Sequence, residues 1–240
     1  MTVESILSAI SSFDQSITLT VNQLAGRERD LDRIIFHVAD LNLLKGVPFM
    51  ACAWYFWFRR DGTARVDVVN LLGVALVAIV AGRLLQLGLP GRLRPVEDPT
   101  LALVMPGHAR PGVLSDWSSF PSDHALLFFA MAAALTPMSR LLAAAAAAWT
   151  ALVICLPRLY LGYHYAGDLL VGAIVGVAVA FACLRLTPRR LSESVVGLAD
   201  RSPGLFYAAA FVFTYELSVL MGDVRQLGEQ ALKFLHVVTA

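Results

Sequence analysis

Six apolar stretches, at residues 43–58, 68–89, 125–138, 141–156, 169–186 and 205–221, restrict what this chain can fold into. The hydrocarbon core of a bilayer is ~30 Å thick and takes on the order of 20 apolar residues per helix. The stretch at 43–58 is short but extends backwards through the Asp40 region, and that at 125–138 can begin at Pro121. Within each stretch the apolar residues run continuously rather than alternating, which favours helices over a β-barrel. Composition agrees: 58% of residues are hydrophobic and 15% charged, against about 45–50% apolar and about 25% charged in soluble domains. The expectation is one all-α membrane domain over residues 1–240. It comprises an interfacial N-terminal region (1–40), a six-helix transmembrane bundle (43–221) and a C-terminal interfacial helix (223–240).

The terminal segments are read from their patterns. Ile6, Ile10, Phe13, Ile17 and Val21 recur every three or four residues, the apolar stripe of a helix lying in the membrane interface or packed under the bundle. Glu4, Ser11, Ser12 and Asp14 interrupt what would be the apolar core of a signal peptide, so the segment is expected to stay attached. Leu227, Ala231, Leu232 and Leu235 give the C-terminal end a similar stripe. Cys52, Cys155 and Cys183 all lie in apolar stretches, which predicts neither a disulfide nor a metal site. A net charge of +1 without a concentrated basic face gives no basis for a nucleic-acid partner.

The connections carry more information. Arg59, Arg60, Arg65, Arg140, Arg185, Arg189, Arg190 and Arg201 share one side, eight basic residues. The opposite side holds the long polar segment 90–121 and the short one at 157–165, with Arg92, Arg94, Arg110 and Arg158. The positive-inside tendency then puts the long segment on the extracytoplasmic side, in a bacterial plasma membrane. Arg27, Arg29, Arg33, Lys45, Arg225 and Lys233 fall on that side too and erase the bias when terminal regions are counted. The alanine run at 143–148 reads as close helix packing.

Ionisable residues gather at the ends of the apolar stretches. His124 follows Pro121, Ser122 and Asp123; Arg158, His164 and Asp168 lie between the fourth and fifth stretches; Arg94 and Pro95 follow the second. Topology puts all three groups on one membrane face. His164 and Asp168 are four apart, within reach of each other on a helix, so the carboxylate can fix the imidazole tautomer that a nucleophile needs. His124 and Ser122 stand near a helix N-terminus, which favours an anion. Arg94 and Arg158 carry the planar donor array that suits phosphate oxygens. One histidine can attack phosphorus while the other protonates the leaving oxygen, an inventory that suffices for phosphoryl transfer without a metal or other cofactor. A lone membrane histidine is more often a packing residue, but a scaffold has no need of the full set.

These residues resemble the type 2 phosphatidic acid phosphatase family of integral membrane lipid phosphatases. The family pattern is a lysine seven residues before Arg-Pro, then Pro-Ser-Gly-His, then Arg, five residues, His, three residues and Asp. Here Pro121-Ser122-Asp123-His124 is similar to the second part, and Arg158, His164 and Asp168 to the third. The resemblance implies His164 as the nucleophile that forms a phosphohistidine, Asp168 as its partner and His124 as the acid for the leaving group. It implies Arg94, Arg158 and Ser122 as phosphate holders. The implied partners are a membrane lipid phosphate and the bilayer.

Two departures stand out: Leu87 occupies the lysine position and Asp123 that of the glycine. At ~5 Å and an effective dielectric near 20, a carboxylate facing a phosphate charge costs about 3 kcal/mol, more than a hundredfold in binding. Asp123 therefore either turns from the phosphate and uses its place near the helix start, the favoured alternative, or faces a cation or hydroxyl of the head group. Arg92 is the expected substitute for the lysine, because residues two apart share a side of an extended loop and Arg92 can then present with Arg94. Arg83 is expected to lean away from the phosphate and to pair structurally, with Glu216 or backbone carbonyls. The function expected is hydrolysis of a lipid phosphomonoester or pyrophosphate. The alternatives are transfer of the same phosphoryl group to another acceptor, or a catalytically weak lipid-binding membrane protein.

Overall fold

The computed structural model describes residues 3–59, 63–105 and 118–222, with side chains from residue 11 onward. Among the described residues are the helices α1 (Val3–Asn22), α2 (Arg29–Asp40), α3 (Asn42–Trp57), α4 (Ala64–Gly88), α5 (Asp123–Ala134), α6 (Arg140–Trp149), α7 (Leu156–Tyr160), α8 (Ala166–Leu186), α9 (Arg189–Arg201) and α10 (Pro203–Ser218). A π-helical segment, Thr150–Cys155, makes α6 and α7 one continuous rod, and a short 3-10 turn covers Pro95–Glu97. The expected C-terminal helix, together with His108, Arg110, Arg225, Lys233 and His236, lies outside the described residues.

Helices occupy all six apolar stretches, but their lengths differ. By length and composition α4, the Arg140–Tyr160 rod and α8 suffice to cross a membrane, and α2 with α3, bent by 44°, make a fourth span when taken together. The 12-residue α5 is short for a crossing. It sits in the middle of the bundle, where Ala125, Leu126, Leu127, Phe128, Ala130, Met131, Ala132 and Ala134 are each at most 1% exposed. A helix that is apolar all round belongs in such a place. On α4 one face, Leu71, Val74, Ala75, Ala78 and Gly82, is buried, while Leu76, Val80, Leu84 and Leu87 point outwards.

The closest packing in the bundle joins α5 to α8, which run parallel. Gly172 and Gly176, one turn apart, make it possible: a Cβ on Gly172 would lie 2.7 Å from the Ser122 carbonyl oxygen, and one on Gly176 would strike the Leu126 carbonyl. Small residues at this spacing let two backbones approach. The pairing sets the N-termini of α5 and α8 side by side, where the Ser122 N–H donates to the Asp168 carbonyl at 3.2 Å.

Two elements differ from expectation. α1 packs against α7 and α8 with its polar stripe inwards: Asp14, Thr18 and Asn22 are buried, while Phe13 is 68% exposed. Asn22 pins the loop after α4 through the Val104 carbonyl (3.0 Å) and N–H (2.8 Å), and also reaches the Tyr160 carbonyl at 3.2 Å. The basic loop after the fifth stretch is largely helical, as α9, where Ser192 donates to Asn70 of α4 at 2.6 Å.

Candidate active site

The loop from Leu161 to Tyr165 turns the chain from α7 into α8 and presents His164. Gly162 makes the turn at φ +70°, a conformation that suits glycine, and its carbonyl accepts from Val96 N–H at 2.9 Å, tying this loop to the one bearing Arg94. His164 is 3% exposed. Its Nδ1 lies 3.0 Å from the Ser119 carbonyl oxygen, an acceptor, so Nδ1 carries the proton and Nε2 keeps its lone pair. Nε2 faces the Arg94 Nη1 at 3.4 Å. Burial pushes the imidazole below its ordinary pKa; Asp168 opposes the shift and the Arg94 charge adds to it. The ring is thus held neutral at pH 7.

Asp168, fully buried, stands 3.7 Å from the same Nδ1. Its Oδ2 accepts from the Ser119 hydroxyl and from Tyr165 N–H (2.9 Å), and its Oδ1 from Arg92 Nη1 (2.7 Å). Three donors, one of them charged, offset the cost of burying the carboxylate. The tautomer of His164 is therefore fixed first by a backbone carbonyl, with the expected carboxylate behind it.

Arg92 does not point as expected. Its Nη1 is taken by Asp168 and its Nη2 by Asp14 of α1, each at 2.7 Å, and its guanidinium lies 3.7 Å over the Tyr165 ring. Asp14 also accepts from Gly167 N–H at 2.7 Å, at the start of α8. Arg92, expected to present to the phosphate with Arg94, is thus held by two carboxylates. Asp14 went unrecognised because, in sequence, it is one polar interruption in an apolar helix.

His124 and Asp123 form a second pair at the start of α5. Asp123 Oδ1 lies 2.8 Å from the His124 ring Nδ1 and also accepts the His124 backbone N–H at 2.8 Å. Its Oδ2 is 3.6 Å from Arg83 Nη2. Arg83 donates in turn to Gln86 at 2.8 Å, and Gln86 to the Pro121 carbonyl at 3.1 Å. Arg83 therefore pairs with Asp123. Ser122 caps α5, its oxygen accepting from Ala125 N–H at 3.4 Å.

The remaining cations come from three directions. Arg94 is buried and donates to the Tyr163 carbonyl at 2.8 Å. Arg158 donates to the carbonyls of Ile154 (2.8 Å) and Ala39 (3.4 Å). Lys45, 6% exposed, donates to the next carbonyl, that of Asp40, at 2.9 Å. The break between α2 and α3 leaves these two carbonyls without helical partners, and Arg158 and Lys45 meet at that negative helix end. Lys45 interacts electrostatically with Asp123 as well as Arg158. Its place beside Arg158 depends on the α2–α3 bend, which has no marker in the sequence.

Residues 91–192 match the family described as the PAP2 superfamily. The match spans rather less than half of the chain, and through it the chain is similar to that superfamily. The matched segment includes Arg92, Arg94, Ser122, His124, Arg158, His164 and Asp168; Asp14, Lys45 and Arg83 lie before it. With its long apolar helices, the chain is an integral membrane protein. It is 26% identical over 157 residues to lipid A 1-diphosphate synthase of Escherichia coli (strain K12), a match covering 62% of this chain and 64% of the relative, just under two thirds of its length. Among solved structures it resembles Aquifex aeolicus LpxE (20% identity, 71% of this chain and 93% of that one, TM-score 0.48). It also resembles a transmembrane PAP2-type phosphatidylglycerolphosphate phosphatase from Bacillus subtilis (20% identity, 73% and 84%, TM-score 0.49).

Proposed function

We propose that this protein is a membrane lipid phosphatase that hydrolyses a phosphomonoester or pyrophosphate of a lipid through a phosphohistidine on His164. The observation that carries the reading is the setting of that imidazole: buried, with Nδ1 against the Ser119 carbonyl and Nε2 turned to Arg94. Nε2 forms the bond to phosphorus as the bond to the lipid oxygen breaks. Arg94, Arg158 and Lys45 balance the charge on the phosphoryl oxygens, a task these cations can perform without a metal. His124 protonates the departing oxygen and then takes a proton from the water that releases phosphate. Arg92 serves by holding Asp168. Ser122 and the neighbouring ends of α5 and α8 add positive partial charge.

The lipid nature of the substrate follows from the placement of these groups at the ends of membrane helices. The count of basic residues in the loops between the apolar stretches, terminal regions left aside, supports a site on the extracytoplasmic face of a bacterial plasma membrane. A second reading draws on the Escherichia coli relative, whose name describes the formation of a diphosphate: the phosphohistidine passes its phosphoryl group to a lipid acceptor instead of water. Incubation with a radiolabelled lipid phosphate tests both. Base-stable label on the protein that disappears in His164→Ala supports the intermediate, and phosphate release that survives His164→Ala refutes it. Free phosphate indicates hydrolysis, and a labelled second lipid indicates transfer.

A further inference from the structure

Asp123 is the residue in the site that the family pattern does not explain. A carboxylate stands where the pattern has glycine, so nothing in the pattern assigns it work. In the structure its carboxylate is turned to two side chains of the site. One oxygen is on His124 Nδ1 and the other faces Arg83. From the geometry we infer that Asp123 is a positioning residue for His124, holding Nδ1–H so that Nε2–H is aimed at the leaving oxygen, with Arg83 balancing the carboxylate charge. This rests on the phosphatase reading and adds to it a second His–Asp pair, serving the acid rather than the nucleophile.

The surroundings of His124 explain the need. Burial disfavours a protonated imidazole at His124, and Arg158 of α7 and Lys45 of α3 add to that from neighbouring elements. The cations that hold the phosphate thus work against the proton that the leaving group requires. A carboxylate at 2.8 Å is the compensating charge, and it directs the other ring nitrogen outwards. The Asp123 carboxylate would in turn repel a phosphate, were Arg83 not 3.6 Å from its other oxygen. Gln86 fixes Arg83 and, through Pro121, the loop that starts α5. In the first step the proton moves from His124 Nε2 to the lipid oxygen as that oxygen leaves phosphorus and His164 Nε2 bonds to it. In the second, His124 Nε2 takes a proton from water as the water oxygen bonds to phosphorus and the bond to His164 breaks.

The test compares leaving groups. An alkyl phosphate lipid leaves as a poor alkoxide and needs the proton; p-nitrophenyl phosphate leaves as a stable phenolate and does not. Purified full-length Asp123→Asn and Asp123→Gly are assayed on both, with kcat/KM followed against pH. The expected result is a loss of about tenfold or more on the alkyl substrate, under about threefold on the aryl one, and a basic limb moved to lower pH on the alkyl substrate. Arg83→Gln, which leaves the Asp123–His124 pair in place, should raise KM for both substrates without separating them. Equal losses on both substrates with an unmoved basic limb overturn the inference and leave Asp123 a structural residue. A broadened range of head groups with no leaving-group effect overturns it in favour of head-group reading. Should Asp123→Asn fail to fold, Asp123→Gly carries the test, since glycine is the family's residue there. An intact protein that forms no phosphohistidine removes the phosphatase reading itself, and the inference with it.

Discussion

Asp14 on α1 and Asp168 on α8 are joined through one guanidinium, with Arg92 donating to each at 2.7 Å. Asp14 is 154 positions before Asp168 in the chain, yet it completes the shell that orients the carboxylate behind His164. Removing its charge leaves the fork of Arg92 half-paired and loosens Asp168. Asp14→Asn should lower kcat about tenfold, the equivalent of ~1.4 kcal/mol, with little change in KM, because Asp14 lies behind the nucleophile and not on the phosphate. Arg92→Lys should do the same, since a lysine cannot hold two carboxylates in one plane. Steady-state phosphate release in detergent reads both; an unchanged kcat in Asp14→Asn would sink the connection.

The acid limb of activity reports on His164. Its pKa is depressed, so the ring stays neutral at pH 7 and becomes protonated, and inactive, only as pH falls through the lowered value. The limb in kcat/KM should therefore lie below the ordinary histidine value of ~6.5. Arg94→Gln removes one of the charges that depress it, so the limb should move up even as overall turnover falls. A wild-type limb at or above the ordinary value, or one moving down in Arg94→Gln, contradicts the assignment of Nε2 as the resting nucleophile.

How much of this was readable in the sequence follows from the reach of each signal. Apolar runs report burial in lipid or protein without distinguishing them, so all six stretches are helices while α5, at 12 residues, is an enclosed core helix. α9 was hidden because its mixture of Arg, Ser and Glu reads as a loop until Ser192 finds Asn70. Spacing grouped His164 with Asp168, and a shared membrane face grouped them with His124. The aim of Arg92 was decided by carboxylates 78 and 76 positions away in sequence, which no local pattern encodes. Arg83 was expected to be structural, and it is paired, with Asp123, a carboxylate where the motif has glycine.

The junction of α5 and α8 predicts a contrast between two glycines. A Cβ at Gly172 meets the Ser122 carbonyl oxygen at 2.7 Å, whereas one at Gly73 on α4 has no neighbour within 4 Å. Gly172→Val should push the start of α5 away from Asp168, costing about 1–3 kcal/mol through overpacking and lowering turnover as well. Gly73→Ala should be neutral or stabilising, by up to ~1 kcal/mol of helix propensity. Thermal unfolding in detergent beside the activity assay distinguishes them. Equal melting temperatures for the two variants would show that α5 and α8 yield more easily than their backbones suggest.

The missing motif lysine gives the last prediction. Leu87, where the pattern has it, is 73% exposed on the outward face of α4, so a cation there would point to lipid or head groups and not to the site. Lys45 is buried and shares the α2 helix end with Arg158, donating to Asp40 where Arg158 donates to Ala39. Lys45→Met should weaken inhibition by inorganic phosphate about tenfold, as expected for losing one cation of the cradle at ~1.4 kcal/mol. Lys45→Arg should restore part of it. Adding Leu87→Lys to Lys45→Met should restore none, because the helix faces the new ammonium away. Rescue by Leu87→Lys, or unchanged phosphate inhibition in Lys45→Met, would return the cation to its motif position and leave Lys45 as a cap for α2.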